Sequence, residues 1–273
     1  MTENKKDKIY LAGSFYSFRD RIINALPEHD FADPRKHRQF AIAPLVIDDM
    51  KEAEESPIFL ACFPKGKTRG TMTYGEIGAS KILGNYVMIA DENEQKDPLL
   101  EQIADVNFNS IDAAIDFLRS NNKILKSEYE KTPKKESLDK IETIFLASNS
   151  RNFPEIFELN KKGMNIVTPE NITSLNEFKN ADLNAVYFPS MGDWERKAIF
   201  FMGAAYALEM PTIMLDEKEF SYPPLNGIVR RVCRSKISMM DYLNTLIDRK
   251  TQKIEVEAGI CYDFFKKYDH IDK

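Results

Sequence analysis

Residues 63–92 and 188–217 of this chain can be laid over one another without a gap. FPKGKTRGTMTYGEIGASKILGNYVMIADE falls on FPSMGDWERKAIFFMGAAYALEMPTIMLDE at a constant offset of 125 positions. Phe63-Pro64 meets Phe188-Pro189, Gly78-Ala79 meets Gly203-Ala204, and Asp91-Glu92 meets Asp216-Glu217. A second pair, Ile9-Tyr10-Leu11-Ala12 and Ile144-Phe145-Leu146-Ala147, opens each copy at an offset of 135. The second copy is therefore about ten residues shorter near its start. This period is far longer than the 20–50 residues of a solenoid repeat. The chain must fold twice, as two domains of one fold, each of roughly 130 residues and large enough for its own core.

Composition narrows the function classes. With 43% hydrophobic and 30% charged residues, the 273-residue chain has the make-up of a soluble globular protein. A net charge of −5 argues against a general nucleic-acid binder. No apolar run reaches the ~18 residues of a membrane span. Three scattered cysteines (Cys62, Cys233, Cys261) make neither a disulfide framework nor a metal spacing, and His29, His37 and His270 form no metal motif. The charged N-terminus MTENKKDK reads as no signal peptide, so a reducing, cytoplasmic setting is expected.

Short apolar runs alternate with helical patterns. KIYLAG reads as a first strand ending in a glycine turn, residues 16–26 as a helix, FAIAPLV as a second strand and SPIFLACF as a third. Residues 72–83 read as a helix, NYVMIAD as a fourth strand, and 110–119 as an amphipathic helix. The second copy repeats the order with IETIFLA, a helix from Pro154, MNIVTP, LNAVYFP, a helix over 194–208, and PTIMLDE. Such alternation predicts an α/β chain of two tandem doubly wound, flavodoxin- or Rossmann-like domains, each with a parallel sheet of about five strands. The first domain spans 1–125, a polar, lysine-rich linker 126–140, and the second copy 141–273. Residues 27–40 read as a polar loop that the second copy lacks, placed where such folds bind ligands.

Three groups stand at the carboxyl end of the expected first sheet. Tyr10 is in the first strand beside the Gly13-Ser14 turn, and Asp48 and Asp49 follow the expected second strand. Glu76 lies early in the next helix, after Gly70-Thr71, where the helix N-terminus can hold a carboxylate ionised. Taken singly, these are a packing tyrosine, a turn or cap, and a capping glutamate. The second copy weighs against that reading. There Glu76 becomes Phe201, Asp49 becomes Ser174 and Tyr10 becomes Phe145, while the apolar frame persists. Joint loss points to one site, kept once.

The pattern Ile-Tyr-Leu-Ala-Gly at the first strand, then Asp49, then Gly-Thr before Glu76-Ile77-Gly78, resembles the nucleoside 2-deoxyribosyltransferase family. The resemblance covers most of residues 8–118 and, in degenerate form, 141–248. It implies a glycosyltransferase of nucleoside salvage with Glu76 as nucleophile, Tyr10 holding it by a hydrogen bond, and Asp49 assisting at the base. Phe15 is implied near the ligand, with Gly13, Ser14, Asp48, Gly70 and Thr71 around it. The implied partners are a nucleoside or nucleotide and a free nucleobase, with no cofactor and no metal. Family members are oligomers whose sites a neighbouring subunit completes. The fused copy is thus expected to act as a built-in pseudo-dimer partner, with Met191, Trp194 and Tyr206 as candidate contacts, or the chain to form homo-oligomers.

One segment departs from the family's D-x-G-T-x-x-E arrangement. Lys65-Gly66-Lys67-Thr68-Arg69-Gly70-Thr71 carries no acid, and four residues rather than two separate Thr71 from Glu76. It reads as a solvated loop or, with Ser14 and Arg19, as a phosphate site. The latter leaves a nucleoside or deoxynucleoside 5′-monophosphate hydrolase as the alternative enzyme. A non-catalytic nucleotide-binding module is the third reading. The tail from Glu255 has aromatics suited to packing or to lining a neighbouring site.

Overall fold

The computed structural model describes residues 7–13, 18–37, 42–121, 125, 127, 130–135, 141–148, 153–169, 175–188, 193–217 and 223–248. For residues 42–44, 193–195, 223 and 226 it describes the backbone alone. Ser14, Phe15, Ser174, Met191, the side chain of Trp194 and the tail from Glu255 lie outside the described residues.

Two parallel five-stranded sheets form, each flanked by helices. The first copy runs β1 (Lys8–Ala12), α1 (Phe18–Ala25), β2 (Asp30–Ala32), α2 (Ile42–Glu55), β3 (Ile58–Phe63), α3 (Thr71–Ile82) and β4 (Tyr86–Asp91), then α4 (Pro98–Ile103), β5 (Val106–Phe108) and α5 (Ile111–Ser120). The second runs β6 (Thr143–Leu146), β7 (Asn165–Val167), α6 (Leu175–Phe178), β8 (Leu183–Tyr187), α7 (Asp193–Ala207) and β9 (Thr212–Leu215), then α8 (Pro223–Asn226), β10 (Arg231–Cys233) and α9 (Lys236–Asp248). Sheet order is β2-β1-β3-β4-β5 in the first copy and β7-β6-β8-β9-β10 in the second, so the same doubly wound order occurs twice.

Both faces of each sheet are covered, which is why the strands read as unbroken apolar runs. Ile9, Leu11, Leu60 and Met88 of the first sheet pack on one face with Phe18 and Ile22 of α1 and Ile115 and Leu118 of α5. Tyr10, Phe59 and Ile89 face the other way, into a central core that also holds Val46, Met50 and Ile77 and, from the second copy, Phe145, Phe178, Phe200 and Phe201. The far face of the second sheet is closed by α9 and a 3-10 helix over Pro154–Lys162, through Leu243, Met239, Ile156 and Leu159.

The copies meet where α3 crosses α7. A Cβ on Gly78 would lie 1.9 Å from the Phe200 carbonyl oxygen, and one on Gly203 1.9 Å from that of Gly75. Residues 75 and 200, like 78 and 203, are related by the repeat offset. The contact is thus isologous, the pattern of a two-fold dimer interface, here made within one chain. Glycine in a helix interior costs about 1 kcal/mol relative to alanine. Here it lets two backbones touch. The described part of the linker ties to both copies: Thr132 N–H donates to Ile82 O at 3.2 Å and Lys135 N–H to Leu208 O at 2.8 Å.

The expected second strand is not one. Residues 40 and 41 of FAIAPLV lie outside the described residues, and the remainder, residues 42–46, opens α2; the strand lies upstream at Asp30–Ala32, inside the segment read as a polar loop. That segment also holds a 3-10 turn over Pro34–Lys36, and its strand has a counterpart in β7, so the second copy does not lack it. A seven-residue apolar run cannot by itself distinguish strand from helix. The downstream residues mark it as a helix: buried Val46, Met50 and Ala53 continue at helical spacing, and Pro44 is tolerated in the first turn. Asp48 and Asp49 therefore sit in the middle of a helix rather than after a strand. The helix expected from Pro154 is 3-10.

Candidate functional site

A cavity of about 290 Å³ opens at the carboxyl end of the first sheet, lined by Gly13, Arg19, Pro34, Leu45, Val46, Asp49, Gly70, Thr71, Met72, Thr73, Glu76 and Pro224. Five elements or their ends contribute: the turn after β1, the start of α1, the turn after β2, one face of α2 and the first turns of α3. Pro224, from α8, adds a wall from the second copy. Gly13 has φ +119°, and a Cβ there would lie 2.4 Å from the Cys62 carbonyl oxygen. Only glycine lets the chain leave β1 tightly against the end of β3.

Glu76 is 6% exposed, and the Tyr10 hydroxyl donates to its Oε1 at 3.1 Å. Tyr10 is itself fully buried, its ring stacked on Phe59. Burial pushes the Glu76 carboxyl up to about 8, and the nearby Asp49 charge adds to this, while Arg19 and the Tyr10 hydrogen bond oppose it. The expectation that the helix N-terminus holds Glu76 ionised is thus corrected. Glu76 is the sixth residue of α3, beyond the first turn in which the dipole acts, and desolvation dominates. Asp49 is raised to about 6, again by burial first, with His37 as the main opposing influence. Burial thus favours a proton retained at these two acids, more strongly on Glu76 than on Asp49.

His37 and Glu52 were not singled out by sequence. His37 closes the 3-10 turn after β2. Its Nδ1 lies 2.5 Å from Asp49 Oδ1, and its Nε2 lies 2.9 Å from Glu52 Oε2. Asp33 caps the turn, accepting from Arg35 N–H at 3.2 Å, and Arg35 Nη2 donates to Asp33 Oδ2 at 2.7 Å. These bonds fix the turn that presents the imidazole. Nothing in a lone histidine twelve positions before an aspartate announces this pairing; it appears only when β2 and α2 are placed side by side. The apolar lining residues Leu45, Val46, Met72 and Pro224 carried no signal either.

Of the residues expected in the site, Gly13, Arg19, Asp49, Gly70, Thr71 and Glu76 line the cavity, and Tyr10 stands behind Glu76. Asp48 is not part of the lining. The basic loop does not gather into a phosphate cradle. Arg69 donates to Asp91 Oδ2 and to the Gln95 carbonyl, both at 2.7 Å, and Lys65 pairs with Glu94 at 3.0 Å. Arg19 is buried and bonds the carbonyl oxygens of Leu11 and Gly13, the latter at 2.6 Å, and Asp33 at 3.4 Å. It clips the end of β1 and lends positive charge to the cavity.

In the second copy the equivalent place is filled by rings. Phe145, in place of Tyr10, lies 4.7 Å centroid to centroid from Phe201, in place of Glu76; Phe178 packs at 4.9 Å from each. The hydrogen bond between tyrosine and glutamate has become an aromatic contact. A further polar link joins the copies beside the site. Asp97 Oδ2 accepts from Tyr74 at 2.6 Å and from Arg196 of α7 at 2.9 Å.

No family model matches the chain, and no curated protein matches it. Among solved structures it is similar to a two-component system response regulator/GGDEF domain protein, at 11% identity over 90% of this chain and 100% of that one, with a TM-score of 0.29. It is also similar to the C-terminus of E. coli RcsC, containing a linker region and phosphoreceiver domain (13% identity, 90% of this chain, 94% of that one, TM-score 0.27). A third is a ketoreductase domain from the bacillaene assembly line (10% identity, 92% of this chain, 79% of that one, TM-score 0.27). These likenesses bear on neither the site nor its chemistry. Among the described residues no helix is long and apolar enough to cross a membrane.

Proposed function

We propose that this chain moves 2-deoxyribose from one nucleobase to another through a covalent glycosyl intermediate on Glu76. The observation that supports this most is the Tyr10–Glu76 pair facing Asp49 at one cavity, set against the Phe145–Phe201 contact at the same place in the second copy. Glu76 holds its proton more tightly than Asp49, so the reaction starts once that proton has passed to Asp49 and left Glu76 ionised. Ionised Glu76 attacks the anomeric carbon as the bond to the base breaks. Asp49 gives its proton to the departing base, which leaves with the bonding electrons. An incoming base then returns a proton to Asp49 and takes the sugar from Glu76, with net retention. Tyr10 orients the nucleophile. The cavity volume, at the lower end of small-molecule sites, suits one nucleoside.

A 5′-phosphate has less support. Arg69, Lys65 and Arg19 are each engaged with carboxylates or carbonyl oxygens, and a phosphate would have to displace them. The test is product analysis of deoxyinosine with and without free adenine, for the wild type and Glu76→Ala. A new deoxynucleoside with wild type alone supports transfer. Free base and sugar without exchange move the reading to a hydrolase, and no turnover of any nucleoside or 5′-monophosphate moves it to a binding module.

A further inference from the structure

We propose that His37 is a positioning residue for this reaction, bridging Asp49 and Glu52 so that the carboxylate left on Asp49 when the base departs is held by an imidazolium. The inference rests on the glycosyl-transfer reading for its role, and on geometry for its existence. A neutral imidazole has one donor and one acceptor nitrogen. Both His37 nitrogens face carboxyl oxygens, at 2.5 and 2.9 Å. Either one acid holds a proton and donates to a neutral ring, or the ring carries two protons and donates to both acids, in which case Asp49 can hold a further proton on Oδ2 while Oδ1 accepts from the ring. Glu52 also accepts from Lys8 Nζ at 3.1 Å, and hydrogen bonds from His37 and Lys8 outweigh burial to hold it below the usual carboxylate range. The imidazolium therefore donates Nε2–H to Glu52 and Nδ1–H to Asp49 Oδ1, and the proton that the base receives is a separate one on Asp49 Oδ2.

The charged groups around this bridge come from every neighbouring element. Asp48, Asp49 and Glu52 belong to α2, Lys8 and Tyr10 to β1, Arg19 to α1 and Glu76 to α3. Asp49 feels burial and the Asp48 charge, which favour the acid, against His37 and Arg19, which favour the carboxylate. His37 is thus the close counter-charge that lets Asp49 release its proton. When that proton passes to the base nitrogen, Asp49 becomes the carboxylate and accepts Nδ1–H from the imidazolium. The proton count on His37 and Glu52 is unchanged, and the incoming base reprotonates Asp49 in the second half-reaction.

The test follows the histidine rings by NMR across pH, in protein carrying carbon-13 at the ring positions. His29 and His270 are removed in turn to assign His37 without altering it. The expected result is a His37 that titrates above the ordinary histidine range and falls back toward it in Asp49→Asn. A His37 titration unmoved by Asp49→Asn overturns the inference. His37→Gln is expected to shift the acid limb of the exchange-rate profile upward by about one pH unit, since a close opposite charge is removed. A uniform loss of rate with both limbs in place would mean a merely structural histidine and overturns it as well. NMR coupling in a protein that exchanges no base would sink the transfer reading and leave the bridge standing. Exchange without coupling does the reverse.

Discussion

The proton on Glu76 separates the chemistry of this site from its stability. Its carboxyl is buried and raised to about 8, whereas in the unfolded chain it titrates near an ordinary ~4.3. A group raised on folding contributes stability below its unfolded value and loses it as pH rises through the folded one. Glu76→Gln is therefore expected to raise the melting temperature at pH 8.5, with the gain fading below about pH 4.3; an equal gain at all pH values would contradict the burial argument. Tyr10→Phe deletes the hydrogen bond that favours the charged form of Glu76. It should lower kcat by about 10-fold, the worth of a bond of roughly 1.4 kcal/mol, and move the acid limb upward, read from rates across pH. At this scale the sequence was legible where the repeat supplied a control: Tyr10 and Glu76 stood out because their counterparts are phenylalanines. His37 and Glu52 had no such contrast, since their bond depends on which helix face meets which turn.

Among elements, α3 carries both Glu76, the proposed nucleophile, and the seam between the copies. Gly78 and Gly203 leave no room for a methyl group, and the atoms in the way are backbone carbonyls, which cannot swing aside. Gly203→Ala is expected to part the two helices and destabilise the protein by about 3 kcal/mol. It should weaken activity too, because Gly203 packs against Gly75, the neighbour of Glu76. Chemical denaturation with a parallel rate assay checks both. Element type was readable for β1, β3, β4, α3 and α5, where period and length agree. It failed at α2, where residues 42–46, the described end of an apolar run of strand length, open a fourteen-residue helix, and at β2, where only three residues pair. Strand Asp30–Ala32 is too short and too polar at its start to rise above its flanks.

At the scale of the whole molecule the two copies share one central core. Ile77, Phe59 and Val46 from the first pack in the same cluster as Phe200, Phe201 and Phe145 from the second. A fragment ending near residue 125 would expose that face of α3 and lose the Pro224 wall. It is expected to self-associate or unfold and to show little base exchange; a monomeric, fully active fragment, by light scattering and assay, would remove the second copy from the site. The duplication was the most legible fact in the sequence, because a gapless match at one offset survives changes of chemistry. How the copies meet was not, since Gly78 and Gly203 read as two helix glycines until their backbones are seen to touch.

Because that crossing is made within a single chain, its two sides face each other at a local concentration that dilution does not change. A two-chain dimer must keep both halves alike, since one gene writes both. Here each half is written separately. One could carry a pair of rings in place of Glu76 and Tyr10 and lend a wall to the cavity, while the other kept the acid.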